Sequence, residues 1–226
     1  MSAKSAPTSA AGGTIHPRRN DQNQPVVLLN PSQPTDVALW GNSHSLAQVV
    51  PDGPMPSALN GIAVAPWTAH PTTAQGWEDL VARHPVEEPA LVAPAGFKRA
   101  AGTVIREPDG RVWLVAPTNA FGGYQATFPK GTIENLSAQA TAIRETWEES
   151  GLHVRLLGHL IDVKRSQSFT RYYLAQRLGG HPGDMGWESQ AVMLVPLSIL
   201  AQKLNSVFDL PVLQAIQMQD PPRSRQ

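Results

Sequence analysis

Three carboxylates crowd one short stretch of the chain, at Glu145, Glu148 and Glu149. At about 100° per residue they fall on the same face of a helix. Glu145 and Glu149 are a like-charge pair at i and i+4, and all three lie where the helix dipole disfavours anions. A hard divalent cation would offset both penalties, because Mg²⁺ and Mn²⁺ prefer oxygen ligands. The alternative is a solvated acidic surface.

The helix that would carry these glutamates is predicted over residues 138–150. Ser137 is a favourable N-cap, and Gly151 suits the left-handed residue at which many helices end. Ala140, Ile143 and Trp147 form the opposite, apolar face. The pattern therefore predicts a helix that packs by one face and presents its carboxylates on the other.

Residues 131–152 resemble the Nudix box, the signature of the Nudix hydrolases. That pattern is Gly, five residues, Glu, seven residues, Arg-Glu, an apolar residue, any residue, Glu-Glu, any residue, Gly and an apolar residue. Its second half is matched by Arg144, Glu145, Glu148, Glu149, Gly151 and Leu152. The first half departs in two ways. The spacing from Gly131 to Arg144 is one residue short, and the first Glu falls at Leu136 or Ser137 and is absent.

The resemblance implies a diphosphatase that cleaves a nucleoside diphosphate linked to another moiety, with Mg²⁺ or Mn²⁺ as cofactor. By motif position, Glu148 and Glu149 are metal ligands and Gly131 supplies its backbone carbonyl. Glu145 is either a metal ligand or the base that activates water. Such ions neutralise a pyrophosphate and lower the pKa of bound water.

Further site residues follow from the altered box. Arg144 is expected to pair with Glu145 or Glu134 and to hold the helix against the preceding loop. A replacement metal ligand is expected from a distant loop, where Glu188 is the first candidate and Asp184 the second. The alternative is that both acids decorate a turn. The predicted catalytic residues are Glu145, Arg144 and Glu149.

Two cations are predicted to contact the substrate, Lys130 before the box and Arg171 on a later strand. The tetrapeptide Phe128-Pro129-Lys130-Gly131 resembles Nudix members that cleave dinucleoside polyphosphates or diphosphoinositol polyphosphates. Lys164 and Arg165 could hold further phosphates. ADP-ribose or another nucleotide sugar is the alternative substrate. The alternative function is a non-catalytic Nudix-like protein that binds a nucleotide or acts as a scaffold.

Composition limits the other function classes. The 226 residues carry a formal net charge of zero, which argues against a broad nucleic-acid or membrane surface. The chain has no cysteine, so disulfides, thiol catalysis and cysteine-bound zinc are excluded. No signal peptide or transmembrane run is evident. We expect a cytoplasmic protein that binds a small phosphorylated substrate, with a homodimer left open.

Three regions are predicted along the chain. Residues 1–25 form a disordered tail. Residues 26–90 form a Pro-rich arm that packs on the main domain through Trp40, Trp67 and Trp77, because its prolines exclude long regular elements. Residues 91–226 form the Nudix domain. The predicted fold class is α/β, a mixed sheet sandwiched by helices with a Pro-rich N-terminal extension.

The main domain shows strand and helix patterns on both sides of the box. Strands are predicted over 100–105, 111–116, 153–163, 169–177 and 191–195. Further helices are predicted over 72–84, 197–204 and 210–218. Thr72 would cap the first of these helices, and Asp209 the last.

Overall fold

The computed structural model describes residues 13–219. Its N-terminal region contains β1 (Thr14–Ile15), β2 (Val27–Leu28), β3 (Ala47–Val49), β4 (Ala58–Leu59), β5 (Ile62–Ala63) and α1 (Ala74–Ala82). The main domain follows with β6 (Lys98–Ile105), β7 (Val112–Pro117), β8 (Lys130–Thr132), α2 (Ala138–Ser150), β9 (Leu152–Lys164), β10 (Ser168–Gly180), β11 (Ser189–Val195), α3 (Leu197–Lys203) and α4 (Leu210–Gln219). Short 3₁₀ helices span Val37–Gly41, Thr118–Gly123, Pro182–Asp184 and Val207–Asp209.

Two sheets form the main domain. The larger has the order β8-β6-β10-β9, in which β6 and β10 are parallel and the other pairs antiparallel. The smaller is antiparallel, with the order β3-β11-β7. Helix α2 packs on β6 and β9, and α4 packs on β9. The predicted mixed α/β architecture is confirmed. Within residues 13–219, no helix is long and apolar enough to cross a membrane.

The strands of the main domain divide their side chains between two hydrophobic clusters. Successive residues of β7 alternate, so that Trp113 belongs to the first cluster and Leu114 to the second. Helix α2 contributes Ala140 and Ile143 to the first cluster. Helices α3 and α4 cover the second cluster, with residues such as Leu200. Both faces of the sheets are therefore covered.

Helix α2 has the predicted bounds and caps. The Ser137 hydroxyl accepts a hydrogen bond from the Ala140 N–H at 3.2 Å, and Gly151 has φ 67°. Glu78 of α1 accepts hydrogen bonds from the Ser137 N–H and hydroxyl at 2.6 and 2.8 Å. The start of α2 is thus fixed from two sides. Glu145 does not lie on a solvated face, because it is only 7% exposed.

The arm contributes to the same core as α2. Trp40 is 1% exposed, and its ring centroid lies 5.7 Å from that of Trp113. Trp77 is buried and packs against Trp67 and Trp147. Strand β3 also pairs with β11 and adds a third strand to the smaller sheet. The sequence did not predict this strand.

Three expectations need correction. Residues 1–12 lie outside the described residues, but residues 13–25 contain β1 and the buried His16 and so depart from the expected tail. The cap of α1 is Thr73 and not Thr72, since the Thr73 hydroxyl accepts the Gly76 N–H. Asp209 was expected to cap α4, but it is fully buried and paired with Arg165.

The burial of Trp40 predicts a large stability effect. Trp40→Ala should lower the free energy of unfolding by about 3–5 kcal/mol, because a large side chain is lost from a packed core. Chemical denaturation followed by circular dichroism measures the change. Val92→Ala is the control, since Val92 is 75% exposed. An unchanged midpoint for Trp40→Ala would show that the arm does not contribute to the core.

Candidate active site

Three carboxylates converge at the end of α2. Glu145, Glu149 and Glu188 each offer one oxygen, and these oxygens lie within 4.8 Å of one another. Two of the residues belong to the last turns of α2, and the third immediately precedes β11. We call this group the acidic triplet. Glu148 is not a member of it in the described part of the chain.

Glu145 is held by close packing and by one ion pair. The Arg144 Nη2 donates to Glu145 Oε1 at 2.7 Å. Gly131 of β8 lies so near that a Cβ there would overlap the Glu145 carboxylate. Burial raises the pKa of Glu145, and Arg144 opposes this shift. Glycine is thus required at position 131 by the approach of a carboxylate and not by a special backbone angle.

Glu149 is tied to the residue before the box glycine. The backbone N–H of Lys130 donates to Glu149 Oε2 at 3.1 Å. Burial raises the pKa of Glu149 to about 8, although the charge of Lys130 opposes it. Burial also lowers the pKa of Lys130, whose Nζ lies 5.0 Å from the centroid of the Tyr124 ring. The Lys130 side chain is therefore held beside Tyr124 and not extended into solvent.

Glu188 reaches Glu145 and Glu149 because its loop is fastened to α2 and to Thr118, which directly follows β7. The Gly186 N–H donates to the Glu148 carbonyl at 2.7 Å. The Thr118 N–H donates to the Glu188 carbonyl at 2.8 Å, and the Thr118 hydroxyl donates to the Trp187 carbonyl at 2.7 Å. Burial, followed by the charge of Glu145, raises the pKa of Glu188.

Glu148 is exposed beside the triplet. Its Oε2 lies 3.6 Å from the Arg144 Nε. Burial raises the pKa of Glu148 to about 7, and the neighbouring Glu145 adds to the shift. For all four glutamates burial is the largest cause of the raised pKa, and repulsion from neighbouring carboxylates adds to it.

The donor set fits a hard divalent cation. The three donors of the acidic triplet are carboxylate oxygens, which Mg²⁺ and Mn²⁺ prefer. Gly131 leaves space for the Glu145 carboxylate where any other side chain would intrude. The arrangement can hold a cation and, through it, a phosphorylated molecule.

Arg171 was predicted to contact substrate, and the structure places it elsewhere. It is 1% exposed, and its Nε and Nη2 donate to the two carboxylate oxygens of Asp162 at 2.8 and 2.7 Å. Its Nη1 donates to the Pro89 carbonyl at 2.7 Å and lies 3.2 Å from Glu88. Arg171 therefore joins the main domain to the end of the arm.

Arg165 is likewise buried rather than exposed to phosphates. Its Nη1 donates to Asp209 Oδ1 at 2.7 Å and to the Tyr172 hydroxyl at 2.9 Å. Lys164 packs over the Phe97 ring, with its Nζ 4.7 Å from the centroid. The predicted second-choice ligand, Asp184, interacts with Arg18.

The sequence matches the NUDIX domain over residues 96–215, more than half of the chain. That region contains the mixed sheet, α2 and all three members of the acidic triplet. Because this match covers more than half of the chain, the chain belongs to the Nudix family.

Three solved structures show a distant similarity to the chain. A Nudix hydrolase family member from Chromobacterium violaceum is 21% identical, with 58% of this chain and 85% of that chain covered and a TM-score of 0.46. An ADP-ribose pyrophosphatase from Streptococcus suis is 18% identical (57% and 96% covered, TM-score 0.44). An Ap4A hydrolase from C. elegans is 21% identical (54% and 96% covered, TM-score 0.46). No curated protein matches the sequence.

The raised pKa of Glu148 predicts a pH-dependent stability of the metal-free protein. Its folded-state pKa of about 7 exceeds its ordinary value of 4.5, so stability falls as pH rises through this interval. Glu148→Gln removes the charge and this loss. The variant should therefore gain about 2–4 °C in melting temperature over the parent at pH 8.5, and less at pH 5, after allowance for solvent screening.

Thermal unfolding in EDTA at both pH values tests this expectation. Glu87→Gln is the matched control, because Glu87 is an exposed glutamate of the arm. If Glu148→Gln gains the same increment at both pH values, the charge of Glu148 is not the cause.

Proposed function

We propose that this chain is a metal-dependent Nudix diphosphatase that hydrolyses a diphosphate linkage in a nucleoside diphosphate derivative. The observation that carries the proposal is the acidic triplet, in which Glu188 joins two box glutamates within 4.8 Å. A non-catalytic binding protein would have no use for a cluster that raises the pKa of four glutamates. The cluster favours catalysis over scaffolding.

The residues of the site would have separate roles in cation binding and in proton transfer. A divalent cation held here would neutralise the diphosphate and activate water. Glu145, Glu149 and Glu188 would supply its carboxylate ligands, with the Gly131 carbonyl as a further oxygen. Arg144 fixes the Glu145 carboxylate at 2.7 Å and so positions it. Positioning and charge compensation are the main needs of phosphoryl transfer.

Glu148 is suited to accept a proton from the attacking water. It is the exposed glutamate of α2 and lies beside the acidic triplet, where water can reach its carboxylate. Glu145 is less suited, because it is buried and engaged by Arg144. We assign Glu145 to cation binding and Glu148 to proton transfer.

The buried arginines bear on the substrate class. Long polyphosphates need several accessible cations, but Arg165 and Arg171 are engaged in buried ion pairs. Lys130 remains a candidate contact, since it lies next to Glu149. We therefore place ADP-ribose or another nucleotide sugar ahead of dinucleoside polyphosphates and diphosphoinositol polyphosphates.

Metal dependence gives the first test of activity. EDTA should abolish hydrolysis and excess Mg²⁺ or Mn²⁺ should restore it. Glu149→Gln should lower kcat by orders of magnitude with the fold intact, because it removes a ligand carboxylate. A colorimetric phosphate assay after phosphatase treatment measures the rates, with Glu87→Gln as control. Full activity of Glu149→Gln would refute the site.

Substrate class is tested by comparing kcat/KM for ADP-ribose, a nucleotide sugar and diadenosine polyphosphates of increasing length. We expect the highest value for a short diphosphate. Lys130→Ala should raise KM, whereas Lys203→Ala, at the end of α3, should not. A kcat/KM that rises steadily with phosphate number would reverse the proposed order.

A further inference from the structure

Strands β1 and β2 form a two-stranded ribbon that is attached to the main domain by side-chain hydrogen bonds. The strands are antiparallel, with Thr14 opposite Leu28. Asn119, in the loop after β7, donates through Nδ2 to the Val27 carbonyl at 2.8 Å, and its Oδ1 accepts from the Leu29 N–H at 2.8 Å. The N-terminal ribbon, as we call β1 and β2, is thus fixed to the main domain, although it lies outside the region that matches the family.

His16 directly follows β1 and connects the N-terminal ribbon to the residue after Glu188. Its side chain is buried. The Arg18 backbone N–H, which can only donate a hydrogen bond, lies 2.9 Å from His16 Nδ1. Nδ1 is therefore the unprotonated nitrogen of a neutral ring, and Nε2 carries the proton. Nε2 donates this proton to the Ser189 carbonyl at 3.1 Å.

The hydrogen bond from His16 adds to the contacts that fix the backbone around Glu188. The Thr118 N–H donates to the Glu188 carbonyl, and the Gly186 N–H donates to the Glu148 carbonyl. These contacts hold the Glu188 carboxylate within 4.8 Å of the other two members of the acidic triplet, where like charges repel one another. Because His16 and its acceptor are both buried, water does not readily replace this bond.

We propose that His16 is a positioning residue for the cation site, because it fixes the backbone next to Glu188 and so places the Glu188 carboxylate against Glu145 and Glu149. This inference rests on the proposed metal-dependent function. Both ring nitrogens of His16 are engaged, so it would act through Glu188 and not as a ligand. Groups that orient metal ligands in this way affect metal affinity without touching the ion.

Two substitutions separate the two hydrogen bonds of His16. The side-chain amide of asparagine reaches the position of Nδ1, so His16→Asn can keep the contact with Arg18 but loses the one with Ser189. The amide nitrogen of glutamine reaches the position of Nε2, so His16→Gln can keep the contact with Ser189. The second variant therefore serves as the conservative rescue of the first.

Mn²⁺ binding to the full chain tests the proposal without reference to activity. Electron paramagnetic resonance of free Mn²⁺ follows the titration of the metal-free protein. His16→Asn should weaken Mn²⁺ binding about three- to tenfold, less than the loss of a group bonded directly to a ligand. His16→Gln should restore most of the affinity. His44→Asn is the control, because His44 is an exposed histidine of the arm.

The same substitution in a Glu188→Gln background shows whether His16 acts through Glu188. If it does, the effect of His16→Asn on Mn²⁺ affinity should nearly disappear, because the carboxylate that it positions is gone. An equal loss in both backgrounds, or an unchanged affinity in His16→Asn alone, would overturn the inference and leave the proposed function standing. If the parent binds no Mn²⁺, the proposed function fails and this inference fails with it.

Hydrogen exchange of the metal-free protein provides a readout that does not involve the cation. In His16→Asn the amides of Gly186 and Thr118, which form hydrogen bonds around Glu188, should exchange faster than in the parent. The amide of the buried Val104 in β6 should be unchanged. Uniformly faster exchange across the chain would assign His16 to the stability of the whole fold and refute the positioning role.

Discussion

Repulsion among carboxylates is the constraint on which the site depends. Glu145, Glu148 and Glu149 lie on one helix, and Glu188 approaches them from a separate loop. Arg144 and the backbone N–H of Lys130 offset part of the negative charge. Burial, together with repulsion between the carboxylates, nevertheless keeps their pKa values raised, so the ionised glutamates are destabilised in the metal-free fold. The surrounding structure must fix these groups against forces that would separate them.

Backbone contacts supply much of that fixation. Gly131 pairs with Ala101 across β8 and β6, which brings the box glycine under the Glu145 carboxylate. Gly186 has a comparable role, because its N–H bonds to the Glu148 carbonyl and a Cβ there would lie 2.6 Å from that oxygen. Two glycines thus allow β8 and the loop before β11 to approach α2 closely. The acidic helix is held between them.

The sequence predicted the features that depend on residues close together in the chain. Helix α2 has the expected bounds because its cap, its left-handed glycine and its apolar face are all encoded within a few residues. Glu188 could be proposed because it immediately precedes a recognisable strand. The prediction that Arg165 and Arg171 contact phosphates was wrong. The burial of an arginine depends on its partners in the fold, here Asp209 and Asp162, which no local sequence motif identifies. The prediction of a disordered tail was wrong for residues 13–25 for the same reason, because the partners of this segment lie far along the chain.

The site also shows that the box motif alone does not identify every carboxylate of the acidic cluster. The carboxylate count of a cation site is set by the oxygens that reach it, whatever their position in the chain. Glu188 lies 39 residues beyond Glu149 and still approaches to within 4.8 Å. A shortened box can therefore retain its electrostatic character when an outside loop contributes an acid. The loop must then be anchored more firmly, and here His16 and Thr118 bind it from both flanks.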